Sequence, residues 1–347
     1  LKTLDYPWLE TDFSALLAMR ARLPHALLLV GPPGIGKRAL AEHFAQALLC
    51  ESPDTSGHPC GACGACRWFA EGNHPDYRAV IPEVLQPDPE LAATADEVVA
   101  AEPGTARSKA APSKVIKIGQ IRALDSFFNV GTHRSGRRLL LIYPADALNT
   151  DAANALLKVL EEPPPATHFL LATSRLSDVL PTIRSRCARM TIGQPDAAMV
   201  MTWLQGQGVR DPVGALAEAG GAPLDAATEK PHADFHDILI GALCAARPVD
   251  PVVLAEKCEK AGASNVVLWL SRWVSDLLRC GSGGEVRYHP KQAAVLAGLA
   301  GSASAPALLA YYRKLMRQRR VAEHPLNSRL YTEDLLIDYA RLIAPRT

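Results

Sequence analysis

The sequence predicts an α/β domain on a parallel sheet, with a phosphate-binding loop and an inserted cysteine module, followed by a small helical domain and a larger C-terminal helical domain. Three observations carry that prediction. Short, near-continuous apolar runs alternate with helical patterns over the first half of the chain, as strands buried on both faces do. One of them, Ala26 to Val30, runs straight into the glycine-rich stretch Gly31-Pro32-Pro33-Gly34-Ile35-Gly36-Lys37, which opens a helical pattern. From about Asp196 onward the strand signals fade and helical periodicity takes over.

In chain order, Thr11 to Leu23 places Phe13, Leu16, Leu17 and Met19 on one side of a short amphipathic helix. After the first strand and the glycine loop, a helix from Arg38 to Leu49 has apolar positions Leu40, Ala41, Phe44, Ala45, Ala47 and Leu48. That spacing gives the broad buried face of a helix lying on a sheet. The cysteine window Cys50 to Cys66 comes next, then Tyr77 to Ile81 as a second strand. Residues 82–113 are rich in Ala, Pro, Asp and Glu without any period and read as a mobile insertion. Order returns at Val115 to Ile118, with a helix expected over Gln120 to Val130 and a third strand over Leu139 to Tyr143. A helix from Asp151 to Glu162 is stopped by Pro163-Pro164-Pro165. The fourth strand, His168 to Thr173, leads into a helix ending near Arg186, and Arg189 to Ile192 is a fifth. Ala197 to Gln207 and Pro212 to Ala219 are helical, Gly220-Gly221 is a stop, and from Phe235 the chain is helical to its end. The expected domains are 1–195, containing the cysteine module 50–66 and the insertion 82–113, then 196–234, then 235–347.

Composition excludes several classes of function. With 347 residues, 37 basic against 36 acidic and a net charge of +1, no global field attracts nucleic acid, and any such contact must come from a local patch. The uncharged run Ala293 to Tyr312 is mostly Ala, Gly and Ser and contains Pro306, too weakly hydrophobic for a membrane span; helix-loop-helix is expected there, and no membrane partner. Leu1 to Glu10 has charges and a proline but no signal-peptide core, so a cytoplasmic setting is expected.

Three sites carry chemistry. The glycine loop matches G-x-x-x-x-G-K in its strand-to-helix context: Gly31, Gly34 and Gly36 let backbone N–H groups curl around a phosphate, and Lys37 reaches its terminal oxygens. Arg38 stands where Ser or Thr would hold Mg²⁺; it cannot ligate the metal, although beside Lys37 it can pair with phosphate oxygens. The carboxylates that should follow the third strand are missing too: Tyr143-Pro144 stand there, and Asp146, further along, reads as the cap of a turn. The second site is Cys50, Cys60, Cys63 and Cys66, four of the eight cysteines. Their two-residue gaps let thiolates converge on one tetrahedral ion, a closed structural zinc site, with His58 or His74 as alternatives to Cys50. The third is Ser185-Arg186-Cys187; by itself an arginine at a helix C-terminus is a solvated cation favoured by the dipole. The basic run Arg313 to Arg320 reads as a solvated helix face, with DNA phosphates as the alternative.

Taken together, the loop, the cysteine module behind its helix, Asn154 through Pro164, Phe169-Leu170-Leu171-Ala172-Thr173 and Ser185-Arg186-Cys187 resemble bacterial clamp-loader subunits of the AAA+ class. The resemblance is close up to residue 195 and holds in kind beyond it, and Trp8, His74-Pro75-Asp76-Tyr77 and Leu326-Asn327 look like one subunit of that class in particular. It implies an AAA+ domain, a lid domain and an oligomerising collar. It also implies a place in the DNA polymerase III clamp loader, beside ATPase subunits and the delta subunit, with the sliding clamp and primer-template DNA as partners. Within it, Arg186 would reach in trans into a neighbour's ATP site. The family's acidic pair falls on Tyr143 and Pro144 and its sensing arginine on Leu224, while Thr173 keeps the polar sensor's residue type. A non-catalytic subunit is therefore implied. ATP or ADP can still sit at this degenerate site, on Gly31, Gly34, Gly36, Lys37, Arg38 and Thr173; the alternative is an ATPase in its own right. A third reading, a zinc-bearing nucleic-acid binder, runs against the near-neutral charge.

Overall fold

The computed structural model describes residues 4–86, 112–129, 131–133, 136–228, 232–245, 249–319, 321–322 and 327–343, so most of the expected insertion, Arg320 and Leu326 lie outside the described residues. The chain divides into two compact units, Leu1–Val200 and Met201–Thr347.

The first unit is a five-stranded parallel sheet. In chain order it comprises α1 (Glu10–Ala18), β1 (Ala26–Val30), α2 (Lys37–Leu49), α3 (Gly64–Ala70), β2 (Tyr77–Val80), α4 (Ile118–Arg122), α5 (Asp125–Asn129), β3 (Arg138–Ile142), α6 (Thr150–Glu161), β4 (Thr167–Thr173), α7 (Pro181–Arg184) and β5 (Ala188–Thr191). The strand order is β2-β3-β4-β1-β5, so the C-terminal ends of β1, β3 and β4 meet where the glycine loop begins. Every residue of β3 is buried, as are Ala26 to Leu29 of β1, which explains why these strands read as unbroken apolar runs. Leu28, Leu140, Phe169 and Leu171 pack on one side with Ala152, Leu156, Leu160 and Ile183 of the covering helices.

Two elements depart from the sequence reading. The helix expected over Gln120 to Val130 is two short helices, α4 and α5, separated by a tighter turn in which the Leu124 amide bonds the Ile121 carbonyl at 3.1 Å. Ile121, Leu124 and Phe127 are all buried; residues three apart drift around a straight α-helix, and the i→i+3 turn keeps them on the sheet. Asp146 is not a turn cap, because its carboxylate is bound by β4, as described below. At the root of the insertion, the Val84 amide donates to the Ser113 carbonyl at 3.2 Å and the Ser113 amide to Glu83 at 2.9 Å, so the chain leaves and re-enters the domain at one place.

The second unit is helical: α8 (Ala197–Gly206, which begins in the first unit), α9 (Pro212–Glu218), α10 (Pro223–Ala227), α11 (Ala233–Cys244), α12 (Pro251–Cys258), α13 (Ala263–Gly281), α14 (Ala293–Ala300), α15 (Ala305–Arg319) and α16 (Ser328–Ile343). Helix α13 is central, burying Val266, Leu270, Trp273 and Leu277 against Leu308, Leu315 and Leu336. The Trp273 indole donates to the Tyr339 hydroxyl at 2.8 Å, satisfying a buried polar pair. Asp276, fully buried on α13, accepts from the amides of Arg287, Tyr288 and His289 and from the His289 ring, which fixes the loop before α14. Residues 293–312 form helix, turn and helix as expected, and no helix among the described residues is long and apolar enough to cross a membrane. In the basic run, Lys314 is tied to Asp334 and Asp338 of α16.

Candidate functional site

The glycine loop has the shape of a phosphate cradle. Gly36 has φ +93°, and a Cβ there would lie 2.8 Å from the Tyr6 ring; only glycine adopts that backbone beside that neighbour. At Gly31 a Cβ would come within 2.6 Å of the Ile192 carbonyl oxygen. The Trp8 indole donates to the Ile35 carbonyl at 2.9 Å. The loop is thus clasped by the segment before α1 and by the chain leaving β5.

Its lysine is engaged. Lys37, 3% exposed, donates to the Gly31 carbonyl at 2.9 Å, to the Pro32 carbonyl and to the Ser174 hydroxyl at 2.8 Å. An ammonium has three protons, and all three have acceptors, two in the loop and one at Ser174, just past β4. Burial draws its pKa down to about 8, against the pull of Asp146. The Arg38 guanidinium pairs with Glu42 one turn along α2, at 2.8 Å. Thr173 donates its hydroxyl to Asp146 at 2.7 Å and accepts the Arg175 amide at 3.0 Å, and Arg175 also pairs with Asp146 at 3.3 Å. Tyr143 and Pro144 follow β3 where carboxylates would hold Mg²⁺, and Leu224 lies on α10 of the second unit.

The four cysteines come together. Their sulfurs all lie within 4.8 Å of one another, with Cys50 to Cys63 at 3.9 Å and Cys60 to Cys66 at 4.0 Å. Tetrahedral zinc with Zn–S bonds of about 2.3 Å requires sulfur edges of about 3.8 Å, so the set fits such an ion. Backbone amides already point at the sulfurs: Cys60 accepts from Ala62 and Cys63, and Cys63 from Cys66. Those amides hold the Cys60 thiol down to about 6, whereas burial raises Cys50 and Cys66. Neither histidine joins the set. The Nδ1 of His74 accepts the Asp76 amide, and His58 bridges Glu10 of α1 and His43 of α2, both at 2.9 Å.

That bridge carries a pH dependence. Burial, and then the facing His58, push His43 down to about 4. Below the ordinary value near 6.5 the unfolded chain takes up a proton that the fold refuses, so stability falls as pH drops from 6.5 toward 4. We expect the melting temperature to fall over that range, and to fall less steeply in His43→Gln; parallel curves for the two proteins would assign the loss elsewhere.

Arg186 follows α7 at the surface. Its guanidinium donates to the Thr182 carbonyl at 3.0 Å and the Ser185 hydroxyl at 3.5 Å, and pairs with Glu161, the last residue of α6. Sequence reasoning missed Glu161 and the Asp146–Arg175 pair. For Glu161 a signal existed, since a carboxylate at a helix C-terminus opposes the dipole.

Residues 12–196 match the family model described as DNA polymerase III, delta subunit, and residues 238–341 match that described as DNA polymerase III, delta subunit, C terminal. The chain is 40% identical over 225 residues to DNA polymerase III subunit delta' of Pseudomonas aeruginosa, covering 64% of this chain and 60% of that relative. It is 30% identical over 330 residues to the same subunit of Yersinia pestis, covering 90% and 88%. The match thus spans less than two thirds of the Pseudomonas relative's length but most of the Yersinia one. Among solved structures, a DNA polymerase III gamma subunit-related protein of Thermotoga maritima superposes with a TM-score of 0.50 at 14% identity, over 95% of this chain and 99% of that one, a likeness of fold.

Proposed function

Because this chain belongs to the DNA polymerase III delta-subunit family, with delta-prime subunits among its relatives, we propose that it is a non-catalytic clamp-loader subunit that donates Arg186 to the ATP site of a neighbour. Its partners are then the loader's ATPase subunits and delta subunit, with the sliding clamp and primer-template DNA served by the complex in the cytoplasm. The observation that carries this reading is the pairing of a disarmed site with a displayed arginine. Arg38 stands where Ser or Thr would hold Mg²⁺, and Tyr143 and Pro144 stand after β3 where the metal-binding carboxylates would be. Arg186 meanwhile lies at the surface of its domain, 35% exposed and paired with Glu161.

A guanidinium is suited to that task, being always charged and able to bond two phosphoryl oxygens at once, so it can stabilise charge on a transferring phosphoryl group. On the same reading the glycine loop serves as a seat for Trp8, Tyr6 and Ile192, and its ligands for ATP or ADP are vestigial. The four cysteines hold zinc, closed by thiolates on every side and hence structural. Domains 196–234 and 235–347 act as lid and collar.

The purified chain with ATP and Mg²⁺ should show no turnover above that of its Lys37→Ala variant, and should join the ATPase subunits in one complex by native mass measurement. Lys37-dependent, Mg²⁺-dependent hydrolysis by the isolated chain would instead establish the alternative, an ATPase in its own right.

A further inference from the structure

We propose that Glu161 is a positioning residue for Arg186, holding the guanidinium on the surface of its own subunit in the orientation it uses against the neighbour's nucleotide. This rests on the finger reading above. Glu161 takes one terminal nitrogen of Arg186, while the Thr182 carbonyl and the Ser185 hydroxyl take the other. With both ends of the planar group held, its plane is fixed. Each terminal nitrogen carries two protons, so one acceptor on the Glu161 side leaves a proton of that nitrogen for a phosphoryl oxygen.

The physical need is entropic. A long arginine loses rotamer freedom when it is ordered, and a group aligned in advance spares the transition state that loss. The placement of Glu161 argues for a role other than stability. As the last residue of α6, followed by Glu162 and three prolines, its carboxylate sits at the negative end of the helix dipole, where it is disfavoured. It is half exposed and fills no core position, so truncation removes little packing.

The test uses the assembled loader in which only the ATPase subunit facing this chain retains its catalytic residues. Glu161→Ala should lower kcat about two- to fivefold, the range an exposed ion pair supports, with KM for ATP unchanged and the melting temperature of the isolated chain unchanged or slightly raised. In an Arg186→Ala background the same substitution should lower kcat no further, because the two side chains act as one unit. Unchanged or increased kcat in Glu161→Ala, a rise in KM alone, or an equal loss in the Arg186→Ala background would each overturn the positioning role. If Arg186→Ala itself leaves turnover intact, the finger reading fails along with it, an outcome distinct from a Glu161 effect that is merely missing.

Discussion

Arg186→Ala is expected to lower hydrolysis roughly 10³-fold at the ATP site this subunit faces, the lower end of what an arginine supplied in trans contributes in GTPases. Fold and assembly should survive. The side chain is one-third exposed, its hydrogen bonds go to the end of α7 and to Glu161, and surface truncations of this kind change stability by no more than about 0.5 kcal/mol. The measurement is single-turnover hydrolysis by a loader whose only competent ATPase subunit is the one facing this chain. In the fully competent ring, turnover should fall by that site's share if the sites fire independently, and almost completely if they fire in concert. The same variant therefore also reads the coupling between sites. Unchanged hydrolysis at the facing site would remove Arg186 from the mechanism.

What the chain discloses before folding is whatever is local. Ala26 to Val30, the glycine loop and α2 are contiguous, so strand, turn and helix are legible together, and Cys60-x2-Cys63-x2-Cys66 places thiolates on successive turns whatever the rest of the chain does. The residues that went unseen are paired by topology. Thr173 and Asp146 are 27 residues apart and meet because β3 and β4 are neighbours in the sheet. Glu161 and Arg186, 25 apart, meet because α6 and α7 flank β4. The fate of Lys37 could not be read either: the motif shows a lysine able to reach phosphate, whereas its acceptors include Ser174, 137 residues away. Arg38 has its partner, Glu42, four residues along its own helix, a neighbour at i,i+4 spacing. At α4 and α5 the misjudgement concerned period, since apolar residues three apart fit a tightened turn better than one continuous helix.

On the proposal that the cysteine module holds zinc, removing the metal should produce the other large effect, because the module is fastened to the core of its domain. Cys50 caps the C-terminus of α2, whose buried residues include Leu40, Phe44 and Leu48, and Cys66 lies buried in α3. His58, inside the same loop, links α1 and α2 through Glu10 and His43. Structural zinc contributes about 10–16 kcal/mol of apparent binding energy in small peptides, comparable to the whole stability of a typical domain, about 5–15 kcal/mol. Part of that is spent ordering the loop, yet even about 3 kcal/mol retained would shift the melting temperature by about 6–12 °C in a domain of this size. We therefore expect Cys63→Ser, or treatment with a strong chelator, to lower the first unit's melting temperature by at least that amount. Loss of one thiolate opens the site, whereas Cys280→Ser, outside the cluster and packed against the core of the second unit, should leave the first unit's melting temperature within about 2 °C. Metal analysis of the purified chain should give one zinc per molecule, and zinc added back after chelation should restore the melt. A chelated protein that melts where the untreated one does would show that the four sulfurs converge without a metal holding them.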